Sequence, residues 1–265
     1  MKIRALMLLL MIPPLAFAGR PSKNWSLYSS VETRSSLETF DQTRNVLEMS
    51  LELMPAYKFQ NNSKVRAYLA ASKELQGSRE QSLSNAFIGH TQKLFNMNSD
   101  TSVSSDIRGY IPLNEDSIKD ESLKTRIYLG LSTNSNLAIP YIESSSLTLK
   151  ISGYRNIHEF ETSRSGSVNT QYSLSEYLGL NLQLTKDLSF STYVTNSQYF
   201  SYYNNRKPDV FEAGQSISYA ITQDIEMSFG HTLGGKTFKD DGVTNNIEFF
   251  NSKESTIYTS LSINF

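Results

Sequence analysis

Charged side chains recur in this chain at every second position of short alternating runs, and their parity sorts them by sign. Glu32, Glu48, Glu52, Glu212 and Glu226 fall among hydroxyl and amide neighbours in the first two and the late runs. Arg66, Arg108, Lys124, Arg126 and Lys150 do the same in the middle runs, with Asp106 as an exception. None is spaced for making or breaking bonds. A nucleophile needs a base within hydrogen-bond reach. The 3 histidines stand in Gly89-His90-Thr91-Gln92, Ile157-His158-Glu159-Phe160 and Gly230-His231-Thr232-Leu233. No Gly-x-Ser-x-Gly elbow accompanies them, and no two stand at metal-ligand spacing. His90 and His231 read as polar residues near strand ends, and His158 as a loop residue. Gly234-Gly235-Lys236-Thr237 echoes the end of a phosphate loop, but the leading glycine and the following helix are missing. The charges are therefore expected to act as charges, through the field they set up.

The elements that must position them are strands. In Glu254 to Phe265, Ile257, Thr259, Leu261, Ile263 and Phe265 alternate with Thr256, Tyr258, Ser260, Ser262 and Asn264. Side chains of a strand point alternately to its two faces, so one face is apolar and the other small and polar. A last strand of this kind, ending on Phe265, resembles the closing strand of bacterial outer-membrane β-barrels. The resemblance implies that Tyr258, Leu261, Ile263 and Phe265 are read by the envelope's barrel-assembly machinery.

The same period runs through the chain. Leu47, Met49, Leu51, Leu53 and Tyr57 oppose Glu48, Ser50, Glu52, Ala56 and Lys58; Leu123 to Leu131 and Leu147 to Gly153 repeat the pattern. Burying Glu48 or Glu52 on an apolar face would cost several kcal/mol, so both must face water. Short connections are expected at 59–63, 96–100, 134–141, 185–187 and 222–224. Long ones are expected at 37–44, 76–82, 113–121, 156–170, 202–208 and 239–252. This alternation predicts an all-β fold: a single antiparallel up-and-down transmembrane β-barrel of about twelve strands, with short periplasmic turns and longer extracellular loops. Ten or fourteen strands also satisfy the even count, because the phase around 85–95 is not fixed by the pattern. A soluble sandwich alternates too, but its strands run to about 5–6 residues. The runs here are longer, as tilted membrane crossings require.

Composition agrees. Lys2 and Arg4, a short apolar run broken by Pro13 and Pro14, and Ala16-Phe17-Ala18 have the three parts of a secretory signal. Residues 1–18 are expected to be cleaved and 19–265 to form the barrel, closed by 254–265. The remainder holds no apolar run of the roughly 20 residues a spanning helix needs, and mean hydropathy is -0.37. Cysteine is absent, and 25 basic against 26 acidic residues leave net charge -1, which is no footprint for nucleic acid. Aromatics reach 11%, with 15 Tyr against 1 Trp, which suits membrane interfaces.

Closure would bring the glutamate-bearing strands into one arc and the basic strands into the opposite one. That arrangement resembles the constriction of general porins and implies a passive channel for small hydrophilic solutes, bounded by outer-membrane lipid and lipopolysaccharide. The same charges could instead pair across a lumen of about 12 Å radius and plug it. Outer-membrane phospholipase A resembles this barrel in size, but its His-x-Ser-Asn-Gly-like run does not occur here. No enzyme activity, cofactor or metal is expected. A third reading is a recognition barrel acting through the 156–170 and 239–252 loops.

Overall fold

The computed structural model describes residues 24–37, 46–77, 79–239, 243–248, 250–251 and 254–265. The signal segment expected at residues 1–18 lies outside the described residues. Among the described residues the strands are β1 (Trp25–Ser36), β2 (Leu47–Lys58), β3 (Ser63–Glu74), β4 (Gln81–Leu83), β5 (Ala86–Asn96) and β6 (Thr101–Ile111). A single short helix, α1 (Glu115–Lys119), follows. The rest are β7 (Leu123–Leu137), β8 (Ser144–His158), β9 (Thr170–Gln183), β10 (Leu188–Ser201), β11 (Val210–Ala220), β12 (Ile225–Lys236) and β13 (Thr256–Asn264).

They form one closed sheet. Neighbouring wall strands are consecutive in the chain and antiparallel, and β13 pairs with β1, with Val31 opposite Leu261. Phe265 completes the seam, exchanging backbone hydrogen bonds of 3.0 and 3.1 Å with Leu27. β4 and β5 both pair with β3, so thirteen strands fill twelve wall positions. The break between them has a local cause. Asn85 turns its side chain to the rim, accepting from the backbone N–H groups of Leu113 and Asn114 at 3.0 Å and donating to Ser117 at 2.9 Å. An amide that offers the backbone an alternative partner interrupts a ladder. That break also explains why the pattern around 85–95 had no fixed phase.

Among the described residues short connections gather at one end and longer ones at the other, as expected; the long connection expected at 37–44 lies, beyond Leu37, outside the described residues. Two turns use the same device: the Thr185 hydroxyl accepts from the Leu188 N–H at 3.2 Å, and the Thr222 hydroxyl from the Ile225 N–H at 3.0 Å. In a third, Asn98 accepts from Asp100 and Thr101. At the long-loop end the strands outrun their expected limits. The stretch expected as a loop from 156 is strand up to His158, and β9 resumes at Thr170. His158 is thus the last residue of β8, tied through its N–H to the Tyr202 hydroxyl at 3.1 Å. The charged 113–121 loop contains α1, capped by Asn114, whose side chain accepts from Asp116 and Ser117.

The apolar face points out. Leu129 and Leu149 stay 57% and 50% exposed, and Leu261 43%, whereas packing in a sandwich core would bury them. Such a continuous apolar belt is a surface built for lipid. At the short-turn end Trp25, Tyr57 and Phe59 form an edge-to-face row with centroids 5.0 and 4.8 Å apart, an interfacial aromatic cluster. His90 and His231 are not near strand ends. Both stand mid-strand on the outward face, opposite Ile107 and Ile257 respectively. His231 carries the ring of Phe250, 5.8 Å away, and Thr237 reaches Asn196 at 2.9 Å. Phe250 and Thr237 therefore lie against the outer wall there, where outward Phe211 and Leu233 are buried.

Candidate functional site

Register places the inward face without ambiguity, because a one-residue slip would expose every outward leucine to the lumen. Glu32, Glu48, Glu52, Arg66, Arg108, Arg126, Lys150, Glu212 and Glu226 all stand at inward positions: Glu52 opposite Ser30, Arg66 opposite Ala56, Arg108 opposite Tyr128, Lys150 opposite Ser132. Glu212 faces Thr195 across one seam and Gly234 across the other, and Glu226 faces Ser262. Lys124 lies at the long-loop rim, 2.5 Å from Glu159, away from the middle of the lumen.

On the basic wall the exception, Asp106, is the anchor. Its carboxylate accepts from Arg66 at 2.9 Å and from the Arg108 Nε at 2.8 Å, and Arg108 closes a second bond through its Nη2. The Arg108 guanidinium lies between two rings, 4.8 Å from the Phe87 centroid and 4.5 Å from Tyr128. Tyr68 stacks on Phe87 at 5.1 Å, and Arg126 sits 4.1 Å from Tyr154 while donating to Asn156 at 2.7 Å. Lys150 lies 5.2 Å from the Tyr128 centroid. Planar cations on aromatic faces hold this wall rigid.

The glutamate wall is looser. Glu32 pairs with Arg34 at 3.1 Å, and Glu52 accepts from the Tyr68 hydroxyl at 3.0 Å. Glu32, Glu48, Glu52, Arg34 and Tyr68 line a recess of about 220 Å³ open to the interior. Glu212, itself exposed, accepts from the Tyr193 hydroxyl at 2.5 Å. Strand order makes β11, β12, β13, β1 and β2 one continuous arc, facing the basic strands β3 and β6–β8.

The tyrosines were not singled out by charge parity, yet they shape the lumen. Their signal is Tyr-x-Gly: Tyr128 lies over Gly130 and Tyr177 over Gly179 on the same strand. Tyr193 lies over Gly214 and Tyr258 over Gly230 across a seam. A Cβ at Gly214 would stand 2.6 Å from the Tyr193 Cζ, inside contact distance. Gly214→Val is accordingly expected to lift that ring, break its bond to Glu212 and lower stability by about 1–3 kcal/mol. Urea unfolding in lipid vesicles measures it.

No family model matches the chain, and no curated protein does. Among solved structures it is similar to an outer membrane channel from Pseudomonas putida F1, with a TM-score of 0.60 at 8% identity, covering 93% of this chain and 97% of that one. It is also similar to the NanC porin, with a TM-score of 0.57 at 11% identity over 89% of this chain and 98% of that one. A KdgM porin in complex with disordered oligogalacturonate gives 0.52 at 9% identity, covering 89% and 99%. At such identities the likeness is one of fold: a closed antiparallel barrel of the porin type.

Proposed function

We propose that this barrel lies in a bacterial outer membrane and passes small hydrophilic solutes passively through its lumen. The observation that carries the reading is the placement of opposite charges on facing inward walls of a closed barrel with an apolar outer belt. Solvent reaches both walls: the Glu32 side chain is 24% exposed, and those of Arg66 and Arg108 are 22% and 18%. Charges of opposite sign across a narrow pore orient dipolar solutes and favour entry of polar over apolar ones. The porins of similar fold support the reading, and the saccharide complex of one of them supports solutes of that size. Outside, lipid and lipopolysaccharide meet the belt. The C-terminal strand, with Tyr258 inward and Leu261, Ile263 and Phe265 outward, is the segment offered to the assembly machinery.

A plugged barrel is the second reading, favoured by the mutual pairing of Arg66, Asp106 and Arg108. Planar-bilayer conductance decides between them. Ohmic steps support the channel; silent bilayers with folded protein refute it. In the channel, the double substitution Glu48→Gln/Glu52→Gln removes two carboxylates from the loose wall. It is expected to shift the cation-to-anion permeability ratio toward anions by about threefold, read as a change in reversal potential under a salt gradient.

A further inference from the structure

The lumen uses its tyrosines in two ways. Tyr128 and Tyr154 carry cations on their faces, from Arg108, Lys150 and Arg126. Among the described residues no cation lies over Tyr177, Tyr193 or Tyr258. Each of these three has one face pressed on a glycine, Gly179, Gly214 and Gly230 respectively, so the ring lies flat on the wall. Its other face is left toward the lumen. Tyr177 and Tyr193 are stacked within 19° of parallel, with centroids 5.8 Å apart, so that together they present a stepped pair of aromatic faces. Beside it stands Glu212, whose carboxylate has accepting capacity beyond the one bond from Tyr193. The Asn181 amide, bonded to Ser191 at 2.9 Å, lies on the same inward face.

We propose that this wall of β9–β13 is a binding track for saccharides. Resting on the channel reading above, the proposal names the solute class. A pyranose ring presents a face of C–H bonds and a rim of hydroxyls. Flat aromatic faces take the first, and carboxylate and amide groups beside them take the second. Inorganic ions and small amino acids have no such face, and a lipid chain has no use for the polar rim. Glycine is required under each ring because any side chain there would tip the ring into the lumen and remove the flat surface. Bond chemistry is not involved; the track lowers the barrier to passage by weak, repeated binding.

The test uses the mature full-length barrel in planar bilayers. Once ohmic steps are established, a neutral trisaccharide, a uronate disaccharide and a polyethylene glycol of matched size are added in turn. Transient current blocks by a saccharide, half-saturating at millimolar concentration, with no block by the glycol, are expected. Block by the neutral sugar alone assigns the β9–β13 track as the whole site. Block by the uronate as well means that its carboxylate also uses the basic wall. Tyr177→Leu and Tyr193→Leu are each expected to raise the half-blocking concentration about tenfold, the loss of one good contact. Tyr193→Phe, which keeps the ring and drops the bond to Glu212, is expected to retain block within about twofold. A merely structural ring would move unfolding midpoints and leave the block untouched. The proposal is overturned if saccharide and glycol block alike, or if both leucine variants block like the parent, while ohmic steps persist. Absence of any ohmic step refutes the channel reading itself, and the track with it.

Discussion

Arginine in place of Leu129 is expected to lower the stability of the bilayer-folded barrel by about 2–4 kcal/mol, the cost of a guanidinium at the middle of a lipid-facing strand. Arginine in place of Asn134 on the same strand is expected to cost far less. The two sites stand on opposite faces of β7, Leu129 at its middle and Asn134 nearer its short-turn end. Leu129 stands outward opposite Ile107 and Gly153, 57% exposed to what would be lipid. Asn134 stands inward opposite Ser102 and Thr148, bonded to the Thr148 hydroxyl at 3.0 Å. Water in the lumen would solvate a new guanidinium there. Unfolding in urea from lipid vesicles reads both. Equal losses at the two sites would mean that the apolar face does not meet lipid, and the membrane reading would fall.

The second large effect concerns Asp106. Its carboxylate is the shared counter-charge of Arg66 and Arg108, and their side chains are 12%, 22% and 18% exposed. Removing one partner of a buried ion pair costs about 3–5 kcal/mol, because the other charge stays desolvated and unpaired. Partial exposure here reduces that, so Asp106→Asn is expected to cost about 2 kcal/mol. The same change adds one positive charge to the basic wall, so anion preference should rise. Adding Arg66→Gln to Asp106→Asn should restore part of the lost stability, since Arg66→Gln removes a cation that Asp106→Asn left bare. The expected signature is a lower urea midpoint for the single variant and partial recovery in the double. An unchanged midpoint would show that the cluster carries no stability. A changed midpoint with unchanged reversal potential would place it off the ion path.

How much of this was legible beforehand differs by region, for physical reasons. The period-two alternation of Leu47–Lys58 or Leu123–Leu131 is a local property, since neighbouring side chains must point opposite ways whatever the strand pairs with. Where a side chain competes with the ladder, as Asn85 does, the pattern dissolves and the phase is lost. His90 and His231 read in the sequence as lying near strand ends because a polar residue on a lipid-facing strand looks locally like a terminus. For His231 the ring of Phe250, distant in the chain, takes up that face. His158 reads as a loop residue because rim strands rise above the lipid, where alternation no longer has to hold. Asp106 looked anomalous among basic residues, although it is the charge that lets Arg66 and Arg108 stand side by side.

Alternation, strand length and the sign of each inward charge were written in the chain itself, because they depend only on which way a side chain leaves an extended backbone. The closing of β13 onto β1, the meeting of Asp106 with Arg66 across forty residues of chain, and the seating of Tyr193 on Gly214 were decided by the tertiary structure. Those depend on which strands become neighbours and by how many residues they slide, and that is settled only when the whole sheet closes.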